Sequence, residues 1–111
     1  MREFEAEELR DYLASAKEPP LLLDVRQPWE YDICRLDSSV LIPMSTIPAS
    51  LDQLDKDRET VVICHHGVRS RRVAYYLEQA GFTNVVNVGG YRDAMKKFEE
   101  LSDPEAAAQA Q

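Results

Sequence analysis

The chain has 111 residues, a length that fits one domain and can bury an apolar core without disulfides or metals. Its formal net charge of −7 argues against a nucleic-acid partner, since binding to phosphates needs a basic surface. No apolar run reaches the roughly 18 residues of a membrane span, and the first residues lack the apolar stretch of a signal peptide. We therefore expect a cytoplasmic protein in which Cys34 and Cys64 are free thiols.

The first half of the chain alternates helical and extended patterns. The predicted elements are a very short strand at Phe4, a helix over residues 6–16, a strand over 21–25, a helix over 28–33, a strand over 39–43 and a helix over 47–54. Pro19 and Pro20 end the first of these helices. The apolar runs at 21–25 and 39–43 do not alternate with polar residues, which indicates strands buried on both faces.

The second half continues this alternation. Its predicted elements are a strand over 60–64, a helix over 69–80, a strand over 84–88, a turn at Gly89–Gly90 and a last helix over 91–101. Alternating strands and helices predict an α/β fold, with a parallel sheet that helices cover on both faces. We expect one domain over residues 1–101, followed by a polar tail over residues 102–111.

The stretch CHHGVRS follows a buried strand and has the features of an anion-binding turn. Ligands of parallel sheets bind beyond the carboxyl ends of strands, and Cys64 lies at such an end. Gly67 can adopt the backbone angles of a tight turn whose N–H groups point inward. The helix that begins near Arg69 adds the positive end of its dipole, so we expect Cys64 to be a nucleophile that favours the thiolate.

A thiolate in such a turn suits attack on phosphorus, attack on sulfur or disulfide exchange. Four residues separate Cys64 from Arg69, one fewer than in the Cys-x5-Arg loop of cysteine phosphatases. The shorter loop favours a terminal sulfur over a phosphate, which leaves a phosphatase or arsenate reductase as a less favoured alternative. The loop has no Cys-x-x-Cys pair, which argues against disulfide exchange.

The other candidate ligands and thiols have plainer interpretations. His65 and His66 stand beside Cys64, but adjacent side chains in a tight turn point apart and no fourth ligand is in sight, so we predict no metal site. Cys34 is interpreted as a small buried hydrophobic residue rather than a second catalytic thiol. Asp24 and Glu30 suit a role in bracing the loop better than an ordinary surface position.

The loop CHHGVRS resembles the Cys-x-x-Gly-x-Arg-Ser active loop of rhodanese-like sulfurtransferases. The segments LLLDVRQPWEY, VLIP and VAYYLEQAGFTNVVNVGGYRDA resemble the same family in the same order. The resemblance runs from about Phe4 to Phe98. The sequence departs from the pattern at Arg35, where histidine is common, at Asp37–Ser38, where Pro-Gly is common, and after the glycine doublet, where Ala-Trp is common.

The resemblance implies a five-stranded parallel sheet and a persulfide mechanism. Cys64 is then expected to take a sulfane sulfur from thiosulfate or a protein persulfide and to pass it to cyanide, a thiol or a protein acceptor, without a metal or organic cofactor. The implied active-loop residues are His65, His66, Gly67, Val68, Arg69 and Ser70, and the implied supporting residues are Asp24, Arg26 and Glu30. We expect a monomer or weak dimer with no nucleic-acid or membrane partner; a rhodanese-like binding module without turnover is the alternative.

Arg69 is expected to turn outward, because its side chain would fill the small loop if it turned inward. Relatives with this pattern place the strand over 21–25 beside the Cys64 strand, which brings Glu30 close to Arg69. We therefore predict that Glu30 accepts a bidentate ion pair from Arg69 and braces the loop.

Overall fold

The fold alternates strands and helices along the chain, and the computed structural model describes residues 1–65 and 67–88. The strands are β1 (Arg2–Phe4), β2 (Leu21–Asp24), β3 (Ser39–Leu41), β4 (Thr60–Ile63) and β5 (Val85–Val88). The helices are α1 (Ala6–Ser15), α2 (Pro28–Ile33), α3 (Ile47–Ser50) and α4 (Val68–Gln79). The strand β1 begins two residues before the predicted strand at Phe4. Apart from β1 and the two regions discussed below, the predicted boundaries agree with these elements to within one residue.

The five strands form one sheet in the order β1-β5-β4-β2-β3, and every pairing is parallel. The predicted α/β fold with a five-stranded parallel sheet is therefore confirmed. In the register of the sheet Ile63 lies opposite Asp24 on one side and Val88 on the other. The carboxyl ends of β2, β4 and β5 are thus level, so the residues that follow them meet at one edge of the sheet.

The apolar side chains of the sheet alternate between two buried faces. On one face Val61 packs with Leu9 of α1, and on the other Val62 and Cys64 pack with Leu77 of α4. Helices therefore cover both faces, as the sequence predicts. Because both faces are buried, the central strands show no alternation of polar and apolar residues.

The strand β3 lies at the edge of the sheet rather than inside it. Val40 is 43% exposed, so the prediction of a strand buried on both faces is wrong at this position. The chain enters β3 through Ser38, whose φ of 66° lies in the left-handed region that favours glycine. This is one of the positions where the sequence departs from the family pattern.

The predicted helix over residues 47–54 is also wrong in form. The structure has a single α-helical turn, α3, between short 3₁₀ turns at Met44–Thr46 and Leu51–Gln53. Pro48 cannot donate a backbone hydrogen bond. In addition, Ser50 Oγ donates to the Thr46 carbonyl at 2.9 Å, a local bond that competes with a regular helix.

Several sequence predictions lie outside the described residues. They concern His66, the turn at Gly89–Gly90, the helix over 91–101 and the tail over 102–111. Among the helices that the structure does describe, none is both long and apolar enough to span a bilayer.

Candidate active site

Cys64 follows β4 directly and is almost completely buried, with 1% of its surface exposed. The chain then turns through Gly67, whose φ of 84° lies in the left-handed region, and α4 begins at Val68. A residue with a Cβ atom would be strained at this angle, so the turn favours glycine. The turn brings the amino end of α4 to the sulfur of Cys64.

Two backbone N–H groups donate to the Sγ atom of Cys64. The nitrogen of Gly67 lies 3.0 Å from Sγ and that of Ser70 lies 3.2 Å from it. The first N–H groups of a helix have no acceptor within the helix, and Gly67 has no side chain to cap them, so the sulfur of Cys64 acts as the capping acceptor. This arrangement can hold negative charge on Sγ, because both donors and the positive end of the helix dipole point at it.

Asn87 contacts the same site from β5. It is fully buried, and its Oδ1 accepts a hydrogen bond of 2.5 Å from the hydroxyl of Ser70. The thiol of Cys64 in turn donates to the hydroxyl oxygen of Ser70, with Sγ 3.3 Å from Oγ. Asn87 is not among the predicted site residues. The sequence does contain a signal for it, a single asparagine within the valine-rich strand VVNV. A buried polar side chain needs hydrogen-bond partners, so such a residue indicates a buried network.

Arg69 pairs with Glu30 of α2 through two parallel hydrogen bonds. Nη1 lies 2.7 Å from Oε1 and Nη2 lies 2.9 Å from Oε2, so the predicted bidentate contact is present. The hydrogen bonds from Arg69 lower the pKa of Glu30 from 4.5 to about 2. The same bonds raise the pKa of Arg69. Both side chains are thus charged at neutral pH, and their pair ties the first turn of α4 to α2.

A second ion pair lies at the end of β2, directly before α2. Arg26 and Asp24 are buried, and Nη2 of Arg26 lies 2.9 Å from Oδ2 of Asp24. Nη2 also donates to the carbonyl of Cys34, which directly follows α2, at 2.6 Å. Since α2 carries Glu30, this pair holds the helix that in turn holds Arg69. The three predicted supporting residues therefore lie together at the carboxyl edge of the sheet.

A cavity of about 260 Å³ borders the loop. It is lined by Arg26, Trp29, Glu30, Ile33, Cys34 and His65. Trp29 and Ile33 are 65% and 74% exposed, so two large apolar side chains are accessible on the side of the cavity that faces His65 of the loop. Val68, at the start of α4, is also exposed. An exposed apolar patch of this kind suits contact with an organic ligand or another protein.

The two cysteines are free thiols on opposite faces of the sheet. Cys64 belongs to the apolar cluster beneath α4, whereas the half-buried Cys34 packs against the cluster beneath α1. Within residues 1–65 and 67–88, no three histidine, cysteine or acidic side chains come together as a potential metal site.

Comparison with known proteins identifies the family. The rhodanese-like domain family matches residues 5–97 of the chain. A protein of Allochromatium vinosum that is named a sulfurtransferase is 34% identical over 90 residues, which cover 81% of this chain and 83% of that protein. The probable adenylyltransferase/sulfurtransferase MoeZ of Mycobacterium tuberculosis is 41% identical over 85 residues. The match covers 75% of this chain but 21% of MoeZ, so the chain spans only about a fifth of that relative.

Solved structures agree with this assignment. A rhodanese-like domain protein from Staphylococcus aureus matches with a TM-score of 0.78 and 35% identity, over 86% of this chain and 91% of that one. A single-domain sulfurtransferase of Saccharomyces cerevisiae shares the fold, with a TM-score of 0.71 at 20% identity, over 86% of this chain and 89% of that one. The chain therefore belongs to the rhodanese-like domain family. Its relatives support a sulfurtransferase activity in general.

We predict that Glu30→Gln lowers the stability of the protein at neutral pH but not near pH 2. The variant keeps the shape of the side chain and loses the charge that pairs with Arg69. Because folding lowers the pKa of Glu30 from 4.5 to about 2, the charged pair stabilises the fold above about pH 4.5, and this contribution is lost as the pH falls towards 2. We expect a loss of about 1–3 kcal/mol at pH 7 in urea unfolding.

The matched control for this prediction is Glu59→Gln. Glu59 forms an ion pair of 2.7 Å with Arg2 at the amino ends of the strands, and the side chain of Arg2 is 50% exposed. Solvent weakens such a pair, so we expect a loss below about 1 kcal/mol. A Glu30→Gln deficit that stays the same from pH 7 to pH 2 would show that the charge of Glu30 is not what stabilises the fold.

Proposed function

We propose that this protein is a rhodanese-type sulfurtransferase in which Cys64 carries the transferred sulfur. The observation that supports the proposal most directly is the convergence of the N–H groups of Gly67 and Ser70 on Sγ at the amino end of α4. These donors stabilise the sulfur as an anion. The same anion is the nucleophile when sulfur is taken up and the leaving group when sulfur is released.

In the first half-reaction the thiolate of Cys64 attacks the sulfane sulfur of thiosulfate or of a protein persulfide. The sulfur–sulfur bond of the donor breaks, and its electron pair leaves with sulfite or with the donor thiolate. Cys64 then holds a persulfide with the negative charge on the outer sulfur. In the second half-reaction cyanide, a thiol or a protein acceptor attacks the outer sulfur, and Sγ leaves as the thiolate.

The competing functions are less consistent with the loop. A binding module without turnover would not need a buried cysteine with two aligned backbone donors, and both donors are present at Cys64. A phosphatase would need a longer loop to surround a tetrahedral phosphate. The N–H groups of the helix start are already directed at Sγ itself, which favours chemistry on sulfur.

The partners that we propose are a small sulfur donor such as thiosulfate, or a persulfide-carrying protein, and a thiol or protein acceptor. The exposed side chains of Trp29 and Ile33 beside the loop suit an organic or protein partner better than a small hydrophilic anion. A cytoplasmic location, a monomer or weak dimer, and a domain that ends near residue 101 remain our predictions.

We predict that thiosulfate adds one sulfur atom, about 32 Da, to Cys64 and none to Cys34. Intact mass and peptide mapping measure the addition, with a cysteine desulfurase plus cysteine as a second donor. Cys64→Ser should abolish thiocyanate formation from cyanide, and the matched Cys34→Ser variant should keep most of it. Transfer by Cys64→Ser together with an inactive Cys34→Ser would overturn the assignment.

We predict that the protein does not hydrolyse aryl phosphates at a measurable rate, because four residues between Cys64 and Arg69 make too small a loop. Insertion of one glycine between Val68 and Arg69, in the first turn of α4, should slow sulfur transfer by moving the N–H donor of Ser70 away from Sγ. Release of nitrophenol from nitrophenyl phosphate measures the phosphatase activity. Thiocyanate formation measures sulfur transfer. Robust phosphatase activity of the unmodified protein would contradict the proposed function.

We predict that Arg69→Ala and Glu30→Ala each slow transfer from thiosulfate about tenfold or more, or about 1.4 kcal/mol in the barrier. The reason is that either change breaks the pair that fixes the first turn of α4. The double variant should be little slower than either single one, since both changes remove the same interaction. The control cycle uses Arg2→Ala and Glu59→Ala at the far edge of the sheet, which should leave the rate unchanged. Fully additive losses at Arg69 and Glu30 would rule out a joint bracing role.

A further inference from the structure

We propose that Asn87 is a positioning residue that holds the hydroxyl hydrogen of Ser70 away from Cys64 and thereby favours the loaded persulfide over the empty thiolate. The inference rests on the proposed sulfur transfer, and it assigns a role to a residue outside the active loop. It is drawn from the buried network of hydrogen bonds that links Cys64, Ser70 and Asn87.

The orientation of the Asn87 amide follows from its surroundings. Nδ2 faces two groups that can only accept, the carbonyl of Gly67 at 3.5 Å and the carboxylate of Glu3 at 3.4 Å. Oδ1 must therefore be the atom that faces Ser70. Glu3 is itself held by Nε of Arg71 at 2.8 Å, which stabilises this orientation from the surface.

This orientation decides the direction of the Ser70 hydroxyl. An amide oxygen carries no hydrogen, so at 2.5 Å the hydroxyl of Ser70 must donate to Asn87. A hydroxyl has only one hydrogen, so Ser70 Oγ presents a lone pair to Sγ of Cys64 at 3.3 Å. This suits the neutral thiol, which donates its own hydrogen to Oγ.

The same arrangement is unfavourable for the empty thiolate. Either the lone pair of Ser70 faces a negative sulfur, or the hydroxyl turns towards the sulfur and leaves Oδ1 of Asn87 without its donor. Asn87 is fully buried, so a lost hydrogen bond there has the cost of an unsatisfied polar group. Asn87 and the thiolate therefore compete for one hydrogen atom.

The persulfide relieves this competition. When Cys64 carries the second sulfur, the negative charge lies on the outer sulfur and Sγ is uncharged. Ser70 can then keep its bond to Asn87 without facing a charge at Sγ. At a pH where the empty Cys64 is ionised, Asn87 should therefore make the thiolate a stronger nucleophile and a poorer leaving group, which favours loading and slows unloading.

The test measures the two half-reactions separately in Asn87→Ala. Loading is followed as sulfite release from thiosulfate, and unloading as thiocyanate release when cyanide is added to the isolated persulfide. Loading should slow and unloading should accelerate, so that their ratio falls on the order of tenfold or more, as expected for one hydrogen bond to a charged group. The persulfide fraction in a fixed mixture of thiosulfate and sulfite, measured by intact mass, should fall with that ratio.

Opposite changes in the two half-reactions separate this role from structural support, because a loosened loop slows both. If Asn87→Ala does not fold, Asn87→Val gives the same test, since valine occupies both neighbouring positions on β5 and needs no hydrogen-bond partner. The matched control is Asn84→Ala, which removes an asparagine that contacts Glu59 and Arg2 at the amino edge of the sheet. It should leave both half-reactions unchanged.

The hydroxyl of Ser70 provides the decisive variant. In a Ser70→Ala background there is no hydrogen to compete for, so adding Asn87→Ala should leave the ratio of loading to unloading unchanged. If both half-reactions slow equally in the Asn87 variants, or if the ratio falls equally in the Ser70→Ala background, the positioning role is wrong. If the wild-type protein itself takes no sulfur from any donor, the proposed function is wrong, and this inference with it.

Discussion

A buried sulfur atom that becomes an anion needs hydrogen-bond donors that are in place before the charge forms. In this protein the amino end of α4 supplies those donors to Cys64, and the positive φ of Gly67 makes them available. The other contacts of the site hold this one turn in position. Arg69 ties it to α2, and Asn87 ties the Ser70 hydroxyl and the Gly67 carbonyl to β5. The geometry of the loop therefore depends on its attachment to α2 on one side and to β5 on the other.

The parallel sheet makes these two attachments possible. Because all strands run in one direction, β2, β4 and β5 end at the same edge, and each contributes a different part of the site. Cys64 follows β4, Asn87 lies within β5, and Asp24 ends β2 and pairs with Arg26 below α2. Among the described residues no buried side-chain nitrogen or oxygen lacks a hydrogen-bond partner, which is what a rigid polar site requires.

The proposed thiolate of this acidic chain would be stabilised by backbone dipoles more than by cationic side chains. The net charge of −7 opposes the approach of anions at long range, although salt screens that effect beyond about 8–10 Å. Arg69, a cation of the loop, is paired with Glu30, so its role is to fix geometry. The N–H groups that reach Sγ act over about 3 Å in a buried site, where solvent and salt weaken them little.

The sequence by itself determined the fold class and singled out Cys64 as the candidate nucleophile. Apolar runs without alternation predicted buried parallel strands, and a cysteine before a glycine at the start of a helix predicted the anion-binding turn. These features depend on residues that are close in the chain, where local geometry decides. To predict the pair of Arg69 and Glu30, one must also know that the strands before these two residues are neighbours in the sheet. The family resemblance supplied this information.

Only the tertiary structure decided the features that depend on distant residues. The exposure of Val40 in β3 followed from the place of this strand at the edge of the sheet. The broken helix at α3 is a local exception, because Ser50 donates to the Thr46 carbonyl four residues earlier and Pro48 cannot donate. Asn87 lies 17 residues from Ser70 in the chain, and only the pairing of β4 with β5 brings its amide to the hydroxyl. A periodic pattern shows that a residue is buried, but its hydrogen-bond partner is set by the register of neighbouring strands, and this register is a property of the folded sheet.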